Sequence, residues 1–479
     1  MANPVLGPLS SAVAFAYGIL TMIFYFLLSV KNGLFFEKPA KDFQSELAAA
    51  QTRLWDLSKQ VYGLSHQFLT LRDGFKFHYV TNVASVTPDT PSKPLVIFIH
   101  GFPDSWVGWR KIISSAQLQD SCSIVAVDLP GYGGSDKLQK YTATEVLEKL
   151  TEYIIAVRER YGFDGPTHDQ ASEKVIIVAH DWGCVLAMRL AADAPQLADR
   201  FILTNGPLIG LVSSNIKRRV SSAVKLMKMF LHSPLRSCSM LGKAFHTLRP
   251  VLRQVALSGY IFSLQLPLPF VRLQGASGDR ALVRMIHKMA HGPVGEYTVK
   301  DAAESMAGSL GPSAKEGASE TADHEKYSEN VARQPFAEKF IHMTNYYRQG
   351  ASVQRWDKSI ETITGLYGLN RGNDLGRRSS GSGVFDEGPK GALKANATVV
   401  WGLNDDALDP RLNFDGIGDY LVHNSQVITL PRSGHFTPIE QESGPALQKI
   451  VEWAVAGEKD DVESAVKAVY SGASLTLRT

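Results

Sequence analysis

The chain has 479 residues, 44% of them apolar and 20% charged, with a formal net charge of +3. This composition predicts one or two globular lobes. The charge is nearly balanced and no basic stripe or nucleic-acid motif stands out, so a nucleic-acid partner is not expected. The three cysteines are widely spaced and make no disulfide framework. No Cys/His cluster has metal-ligand spacing, so no metal or other cofactor is predicted.

The first predicted element is the apolar run Ser10–Val30, which contains no charged residue and is closed by Lys31. At about 1.5 Å per residue, such a run spans a hydrocarbon core of roughly 30 Å. A cleaved secretory signal and a buried core helix are the alternatives, but no basic residue precedes the run and no small-residue cleavage pattern follows it. We therefore expect residues 1–38 to form a single-pass membrane anchor. Lys31, Lys38 and Lys41, partly offset by Glu37 and Asp42, favour a cytosolic position for the large domain, with the endoplasmic reticulum as the default membrane.

Beyond the anchor, short apolar runs alternate with helical patterns, which predicts a mainly parallel sheet flanked by helices. Residues 39–75 form a connector with a helix at Asp42–Tyr62. The predicted strands lie at 76–80, 94–99, 123–128, 174–179, 396–401 and 426–430, and a helix is predicted over Thr142–Tyr161.

Residues 207–393 interrupt this alternation with helix-like, polar sequence. We interpret them as a helical cap inserted between two parts of one sheet domain, residues 76–206 and 394–479. Within the cap, residues 302–321 and 371–391 are rich in small and polar side chains. That composition predicts weakly ordered inserts at the surface.

The strand at 174–179 runs into His180–Cys184 and then into a helix-like segment, the pattern of a nucleophile elbow. Asp181 occupies the position that is serine in esterases, so a serine-type esterase is excluded. A carboxylate can attack a saturated carbon and form an ester, which is then hydrolysed at its own carbonyl. Asp181 is therefore the candidate nucleophile, although an aspartate at a helix start can also be a simple N-cap.

A second turn, His100–Pro103, follows the strand at 94–99. It would bring the backbone N–H of Phe102 to the top of the sheet, where it could form an oxyanion hole with the N–H of Trp182. A tight Gly-Pro turn without a catalytic task is the alternative. Trp106 and Trp182 are candidate substrate-binding side chains.

Near the C-terminus, an acid follows one strand and a histidine follows the next. This gives the chain order nucleophile, acid, histidine. His435 is the predicted base, and Asp405 is the acid that would orient it. The adjacent Asp406 is the alternative acid, and His435 as a surface-loop histidine is the alternative without catalytic meaning.

The elbow at Asp181, the His-Gly-Phe-Pro turn, the strand end at Asp405 and the Ser-Gly-His sequence ending at His435 together resemble the α/β-hydrolase epoxide hydrolases. Haloalkane and haloacetate dehalogenases share this plan. The resemblance covers roughly residues 70–205 and 395–450 and is patchy over the cap. It implies an α/β-hydrolase fold with a helical cap.

Soluble epoxide hydrolases carry two cap tyrosines that hold the epoxide oxygen. Tyr260–Pro267 resembles the first of their motifs, with Leu in place of Phe, and Asn345–Arg348 resembles the second, with Tyr in place of Trp. The resemblance thus assigns Tyr260 and Tyr347 as donors to the epoxide oxygen. Tyr346 is the alternative second donor.

The resemblance implies a hydrolase acting on an ether bond, one that opens a lipophilic epoxide to a vicinal diol through an ester of Asp181. It implies no cofactor, and the anchor adds membrane lipid as a partner. A dehalogenase and a catalytically inactive, membrane-tethered binding protein are the alternative functions.

Overall fold

A central β-sheet organises the molecule, whose computed structural model describes residues 8–36, 40–83, 93–163, 174–370 and 388–478. The strands are β1 (Ser65–Thr70), β2 (Lys76–Thr81), β3 (Leu95–Ile99), β4 (Ser123–Val127), β5 (Val175–His180), β6 (Arg200–Thr204), β7 (Ala397–Gly402), β8 (Gln426–Leu430) and β9 (Ser474–Arg478). Over the described residues they form one nine-stranded sheet in the order β1-β2-β4-β3-β5-β6-β7-β8-β9.

The six central strands, from β4 to β8 in the sheet, are parallel, and the antiparallel strands β1, β2 and β9 complete the two edges. Ile97 lies opposite Val125 on one side and Ile177 on the other. Every residue of β3, β4 and β5 is buried. Unbroken apolar runs suit such strands because helices cover both faces of a parallel sheet. The mainly parallel sheet predicted from the sequence is confirmed.

Three strands were missed by the sequence analysis, and in each of them polar residues interrupt or flank a short set of apolar residues. β1 contains His66 and Gln67, and β9 alternates apolar and polar residues at the sheet edge. β6 begins with Arg200, whose guanidinium is buried and pairs with Glu458 at 2.7 Å. Because β1 belongs to the sheet, part of the predicted connector at 39–75 is in the core domain. The helix of this connector ends at Trp55, whereas the sequence predicted an end at Tyr62.

Helices precede, flank and interrupt the sheet along the chain. They are α1 (Pro8–Lys31), α2 (Lys41–Trp55), α3 (Arg110–Ile113), α4 (Ala116–Ser121), α5 (Ala143–Arg160), α6 (Trp182–Asp193), α7 (Ile209–His232), α8 (Cys238–Leu257), α9 (Gly259–Leu264), α10 (Leu268–Ala290), α11 (Val299–Leu310), α12 (Glu329–Ala332), α13 (Phe336–Arg348), α14 (Ile360–Asn370), α15 (Pro410–Asn413), α16 (Ser443–Val455) and α17 (Val462–Lys467). The helices from α7 to α14 lie between β6 and β7 in the chain, where the cap was predicted.

The prediction that residues 302–321 are weakly ordered is wrong. They include most of α11, which begins with a capping box between Thr298 and Asp301 and packs against α2. The indole N–H of Trp55 donates to the carbonyl oxygen of Ala307 at 2.9 Å. The small side chains that suggested disorder instead allow this close packing. Of the second predicted insert, residues 371–387 lie outside the described residues.

The N-terminal helix α1 contains Ser10–Lys31, which alone among the described helices is long and apolar enough to cross a membrane. By length and composition it fits a membrane anchor or a signal sequence. One side packs on the cap helices α9 and α10. The hydroxyl of Tyr17 donates to the carbonyl oxygen of Val255 at 3.0 Å, and a Cβ on Gly18 would lie 2.7 Å from the carbonyl oxygen of Phe262. Another side exposes Val13, Leu20, Phe24 and Leu27.

Candidate active site

The candidate site lies at the carboxyl ends of the parallel strands, where α/β folds bind their ligands. Asp181 follows β5, Asp405 follows β7 and His435 follows β8, so three predicted site residues from distant parts of the chain meet at one sheet edge. Asp181 and His435 line a pocket between this edge and the cap. The sheet therefore supplies one wall of the pocket and the inserted helices supply another.

The turn at Asp181 has the geometry of an elbow. Asp181 adopts φ 50° and ψ −117°, a strained conformation for a residue other than glycine. The turn also needs small neighbours, because a Cβ on Gly183 would lie 2.3 Å from the carbonyl oxygen of Ile99. A Cβ on Gly101 would lie 2.3 Å from Oδ1 of Asp181. These close approaches hold the carboxylate out over the sheet edge.

The backbone N–H of Phe102 donates to Oδ1 of Asp181 at 2.7 Å. The turn that presents it contains a cis peptide bond between Phe102 and Pro103. The N–H of Trp182, in contrast, makes no hydrogen bond to the Asp181 carboxylate in the described part of the chain. Of the two predicted oxyanion donors, the N–H of Phe102 therefore already forms a hydrogen bond with the carboxylate of Asp181.

His435 lies between two carboxylates. Its Nδ1 is 2.9 Å from Oδ2 of Asp405, and its Nε2 is 3.4 Å from Oδ2 of Asp181. Asp405 is fully buried, and its Oδ1 accepts hydrogen bonds from the N–H groups of Ala407 at 2.7 Å and Leu408 at 2.9 Å. The neighbouring Asp406 lines the pocket instead of contacting the imidazole. The geometry thus favours Asp405 as the acid that orients His435.

Asn205 is a part of the site that the sequence analysis missed. It follows β6 at a positive φ of 44°, and its side-chain amide donates to Oδ2 of Asp405 at 2.8 Å. Its own oxygen accepts from the hydroxyl of Thr437 at 2.5 Å. Asn205 therefore fixes the second oxygen of Asp405 and leaves that oxygen aimed at the imidazole. A polar residue at a strand end was the available signal, but β6 itself had not been predicted.

The charges of this cluster shift the titration of its members. Burial by itself lowers the pKa of His435, but the negative charges of Asp405 and Asp181 and their hydrogen bonds outweigh burial and raise this pKa to about 10. Burial raises the pKa of Asp181, but the hydrogen bond and charge of His435 outweigh it, so the pKa of Asp181 falls below its ordinary value. An ionised Asp181 beside an imidazolium is the resting state that these shifts favour.

The two predicted lid tyrosines reach the same pocket. Tyr260 comes from α9 and Tyr347 from α13, and their rings meet edge to face with centroids 5.8 Å apart. Burial, assisted by the charge of Asp181, raises the pKa of both hydroxyls well above the ordinary value. Both therefore keep their protons and can act as donors. Tyr346 is fully buried, and its hydroxyl donates to the carbonyl oxygen of Pro130 at 3.0 Å, so it is no candidate for the second donor.

The structure does not support the two tryptophans as substrate contacts. Trp106 is fully buried, and its backbone N–H donates to Oδ1 of Asp128 at 2.8 Å, away from the pocket. It belongs to the core because the helical turn after His100–Pro103 points it inward. The ring of Trp182 packs against Tyr347 with centroids 4.9 Å apart and does not line the pocket. Trp182 therefore supports a lid tyrosine.

An unexpected part of the pocket wall comes from the N-terminal helix. Tyr25 of α1 lines the pocket together with Asp181, Tyr260 and His435. The cap supplies most of the remaining wall through apolar side chains. These are Leu257, Leu264, Leu282, Met285, Ile286 and Met289. No feature of the sequence connects α1 with the site, because the connection depends on the packing of α1 against α9 and α10.

The sheet order and the elbow define an α/β-hydrolase fold. In agreement, residues 94–219 match the family model described as the alpha/beta hydrolase fold. A crystal structure of the Cif epoxide hydrolase from Acinetobacter nosocomialis matches with a TM-score of 0.50 at 15% identity, over 89% of this chain and 98% of that one. That likeness shows the fold alone.

Among proteins similar in sequence are named epoxide hydrolases. The chain is 29% identical to epoxide hydrolase 3 of Mus musculus over 177 residues, 35% of this chain and 42% of the mouse protein. It is 29% identical to epoxide hydrolase 1 of Caenorhabditis elegans over 222 residues, 46% of this chain and 47% of the worm protein. The chain thus spans less than half the length of each of these relatives.

Proposed function

We propose that the protein is an epoxide hydrolase that converts a lipophilic epoxide into a vicinal diol through a covalent ester of Asp181. One observation carries the proposal: the carboxylate of Asp181 shares its pocket with two tyrosine side chains, those of Tyr260 and Tyr347, whose pKa values are raised by burial. A nucleophile that faces hydroxyl donors suits an epoxide, because ring opening needs attack at carbon and a proton at oxygen. The similarity to named epoxide hydrolases supports the same chemistry.

In the first step, Oδ2 of Asp181 attacks an epoxide carbon, and the bond between that carbon and the ring oxygen breaks. Oδ1 stays on the N–H of Phe102, and Oδ2, which lies 3.4 Å from Nε2 of His435, is the nucleophile. The released oxygen takes a proton from Tyr260 or Tyr347. The products of this step are a hydroxyalkyl ester and a tyrosinate, which is reprotonated by the neighbouring imidazolium or by water.

In the second step, water attacks the carbonyl carbon of the ester. Esterification removes the negative charge of Asp181, which is one of the causes that raise the pKa of His435. The pKa of His435 therefore falls, and the imidazolium can lose a proton and become the neutral imidazole that acts as a base. Neutral His435, oriented by Asp405, takes a proton from water. The charge that develops on Oδ1 is stabilised by the N–H of Phe102. When the intermediate collapses, the bond between Cγ and Oδ2 breaks, and Oδ2 takes the remaining proton of the added water, directly or through His435, and leaves as a hydroxyl of the diol. Asp181 is left as a carboxylate that contains the water oxygen, beside an imidazolium.

The setting of this activity follows from α1. We assign it as a single-pass anchor with the catalytic domain on the cytosolic side, the orientation that the basic residues after the helix favour. The endoplasmic reticulum is the default membrane. An apolar pocket wall that includes Tyr25 of α1 suits a lipophilic substrate drawn from the bilayer.

A single turnover in heavy-oxygen water tests the covalent step. The label is expected in the carboxylate of Asp181, detected by mass analysis of the peptide that contains it, because Oδ2 leaves with the diol and water replaces it. His435→Gln is expected to accumulate the ester, seen as a mass increase equal to that of the epoxide. Label found in the diol and never in Asp181 refutes the mechanism. Halide release from a haloalkane, without diol formation from epoxides, would establish the dehalogenase alternative.

A further inference from the structure

The cap helices α7 and α8 form a hairpin that is poorly covered by the rest of the protein. Of the residues in α7, only Leu211, Asn215 and Ala223 are buried, and in α8 only Ala244 and Pro250. The two helices pack against each other, and Leu235 in the turn between them is 96% exposed. A hairpin of this kind has little reason to be stable in water unless something else covers it.

Both helices expose apolar side chains at helical spacing. On α7 these are Val220, Val224, Met227 and Leu231, which recur every three or four residues and so share one face. On α8, Phe245, Leu252 and Val255 are exposed in the same manner. An exposed apolar stripe on each helix marks a surface that is to be covered.

The charge of the hairpin is one-sided. Residues 209–257 contain nine of the chain's 50 lysines and arginines and none of its 47 aspartates and glutamates. The net charge of the whole chain is only +3 and does not reveal this local excess of positive charge. The expectation that the chain has no basic stripe is therefore wrong. Arg218, Arg219 and Arg253 reach Asp415 or Asp409 outside the hairpin. The other six make no ion pair with a described residue: Lys217, Lys225, Lys228, Arg236, Lys243 and Arg249.

The hairpin adjoins α1, the candidate membrane helix. Val255, near the end of α8, accepts the hydrogen bond from Tyr17 of α1, and α9 continues directly from α8 along α1. Leu257, the last residue of α8, lines the pocket. The apolar surface of α1, the hairpin and the pocket wall are therefore neighbours.

We propose that the α7–α8 hairpin is a second membrane-contact element, which lies in the surface of an anionic bilayer beside α1. Its apolar stripes enter the boundary between headgroups and acyl chains, and its unpaired lysines and arginines bind anionic headgroups. A nucleic acid would satisfy the charge but would leave the apolar stripes exposed, so lipid is the better complement. The proposal does not depend on epoxide chemistry, since it concerns the surface and not the catalytic groups.

The native thiol of Cys238, at the start of α8, provides a site for a reporter. It is exposed, whereas Cys122 and Cys184 are buried. We would label the full-length protein at Cys238 with a polarity-sensitive fluorophore and reconstitute it in nanodiscs of phosphatidylcholine, with or without phosphatidylserine. With phosphatidylserine, the emission is expected to move to shorter wavelength, and iodide quenching is expected to fall. High salt should reverse part of the effect.

Charge reversal separates the hairpin from the anchor. One lysine near an anionic surface strengthens binding by about fivefold, so Lys225→Glu with Lys228→Glu is expected to remove the phosphatidylserine effect. The matched control is Lys300→Glu with Lys459→Glu, two exposed lysines elsewhere, which should keep it. Leu235→Asp tests the apolar contribution and should leave the label accessible to iodide.

Three results would overturn the proposal. The first is equal emission and quenching in the two kinds of nanodisc. The second is an unchanged phosphatidylserine effect in the Lys225→Glu, Lys228→Glu variant. The third is a spectral shift caused by duplex DNA or RNA but not by phosphatidylserine. The thermal unfolding temperature of each variant is measured as a control. A variant that unfolds at the same temperature as the wild type is folded, and only the results of such variants are used.

Discussion

Tyr25 of the N-terminal helix and Asp181 of the nucleophile elbow line the same pocket. A helix that looks like a simple anchor in the sequence therefore supplies a wall of the candidate active site. The contact is possible because the side of α1 that carries Tyr17, Gly18 and Tyr25 packs on the cap.

We expect Tyr25→Ala to raise KM for a lipophilic epoxide by about tenfold, equivalent to a loss of about 1.4 kcal/mol of binding, since a partly buried ring is removed from the pocket wall. The value of kcat should change less, because no hydrogen bond joins the Tyr25 hydroxyl to Asp181, His435, Tyr260 or Tyr347 in the described part of the chain. Steady-state kinetics in detergent or nanodiscs measure both. Phe24→Ala is the matched control: the same helix loses a ring of similar size, but one that is exposed. Equal KM values for the two variants would contradict the assignment of Tyr25.

The choice between the two adjacent acids can be tested directly. Asp405→Asn is expected to slow hydrolysis of the ester by on the order of 10³–10⁴-fold, because the imidazole loses the partner that fixes its tautomer. Asp406→Asn, which removes a carboxylate from the pocket wall, should change this rate by less than about tenfold. Rapid-quench measurement of ester decay gives both rates. The opposite order would make Asp406 the acid.

The tyrosines are expected to act in ring opening. Tyr260→Phe and Tyr347→Phe should each lower the rate of ester formation, and the double variant should lose on the order of 10²–10⁴-fold, as is usual for a lost general acid. Tyr346→Phe is the control, since its hydroxyl donates to the carbonyl oxygen of Pro130 outside the pocket. A double variant that opens epoxides at the wild-type rate would show that another group supplies the proton.

The pKa of His435 gives a pH prediction with a definite sign. The folded-state pKa of about 10 lies above the ordinary value of 6.5, so the interaction of the imidazolium with Asp405 and Asp181 is fully present below pH 6.5 and is lost as the pH rises through about 10. NMR titration of histidine-labelled protein measures the midpoint. Asp181→Asn should lower it, because one of the two negative charges is removed. Asp406→Asn, the control, should leave the titration midpoint of His435 unchanged. A midpoint that does not change in Asp181→Asn would refute the ion pair between His435 and Asp181.

Much of the sheet could be predicted from the sequence, because a strand buried on both faces shows as an unbroken apolar run whatever its neighbours are. β3, β4 and β5 are of this kind, and they position the His100–Pro103 turn and the elbow. β1, β6 and β9 were not predicted because they contain polar residues, whose hydrogen-bond partners are known only from the folded protein. Asn205 was missed together with β6.

The sequence by itself predicted the residue types of the candidate site: an aspartate at an elbow, and an acid and a histidine after later strands. The resemblance to epoxide hydrolases added two tyrosines in an inserted cap. These features are local, since strand ends and turns depend on neighbouring residues along the chain. Only the tertiary structure decided that Asp405 rather than Asp406 meets His435, that Tyr347 rather than Tyr346 enters the pocket, and that Tyr25 joins them. Adjacent residues share the same local sequence, so the direction of each side chain depends on which distant segments pack around it.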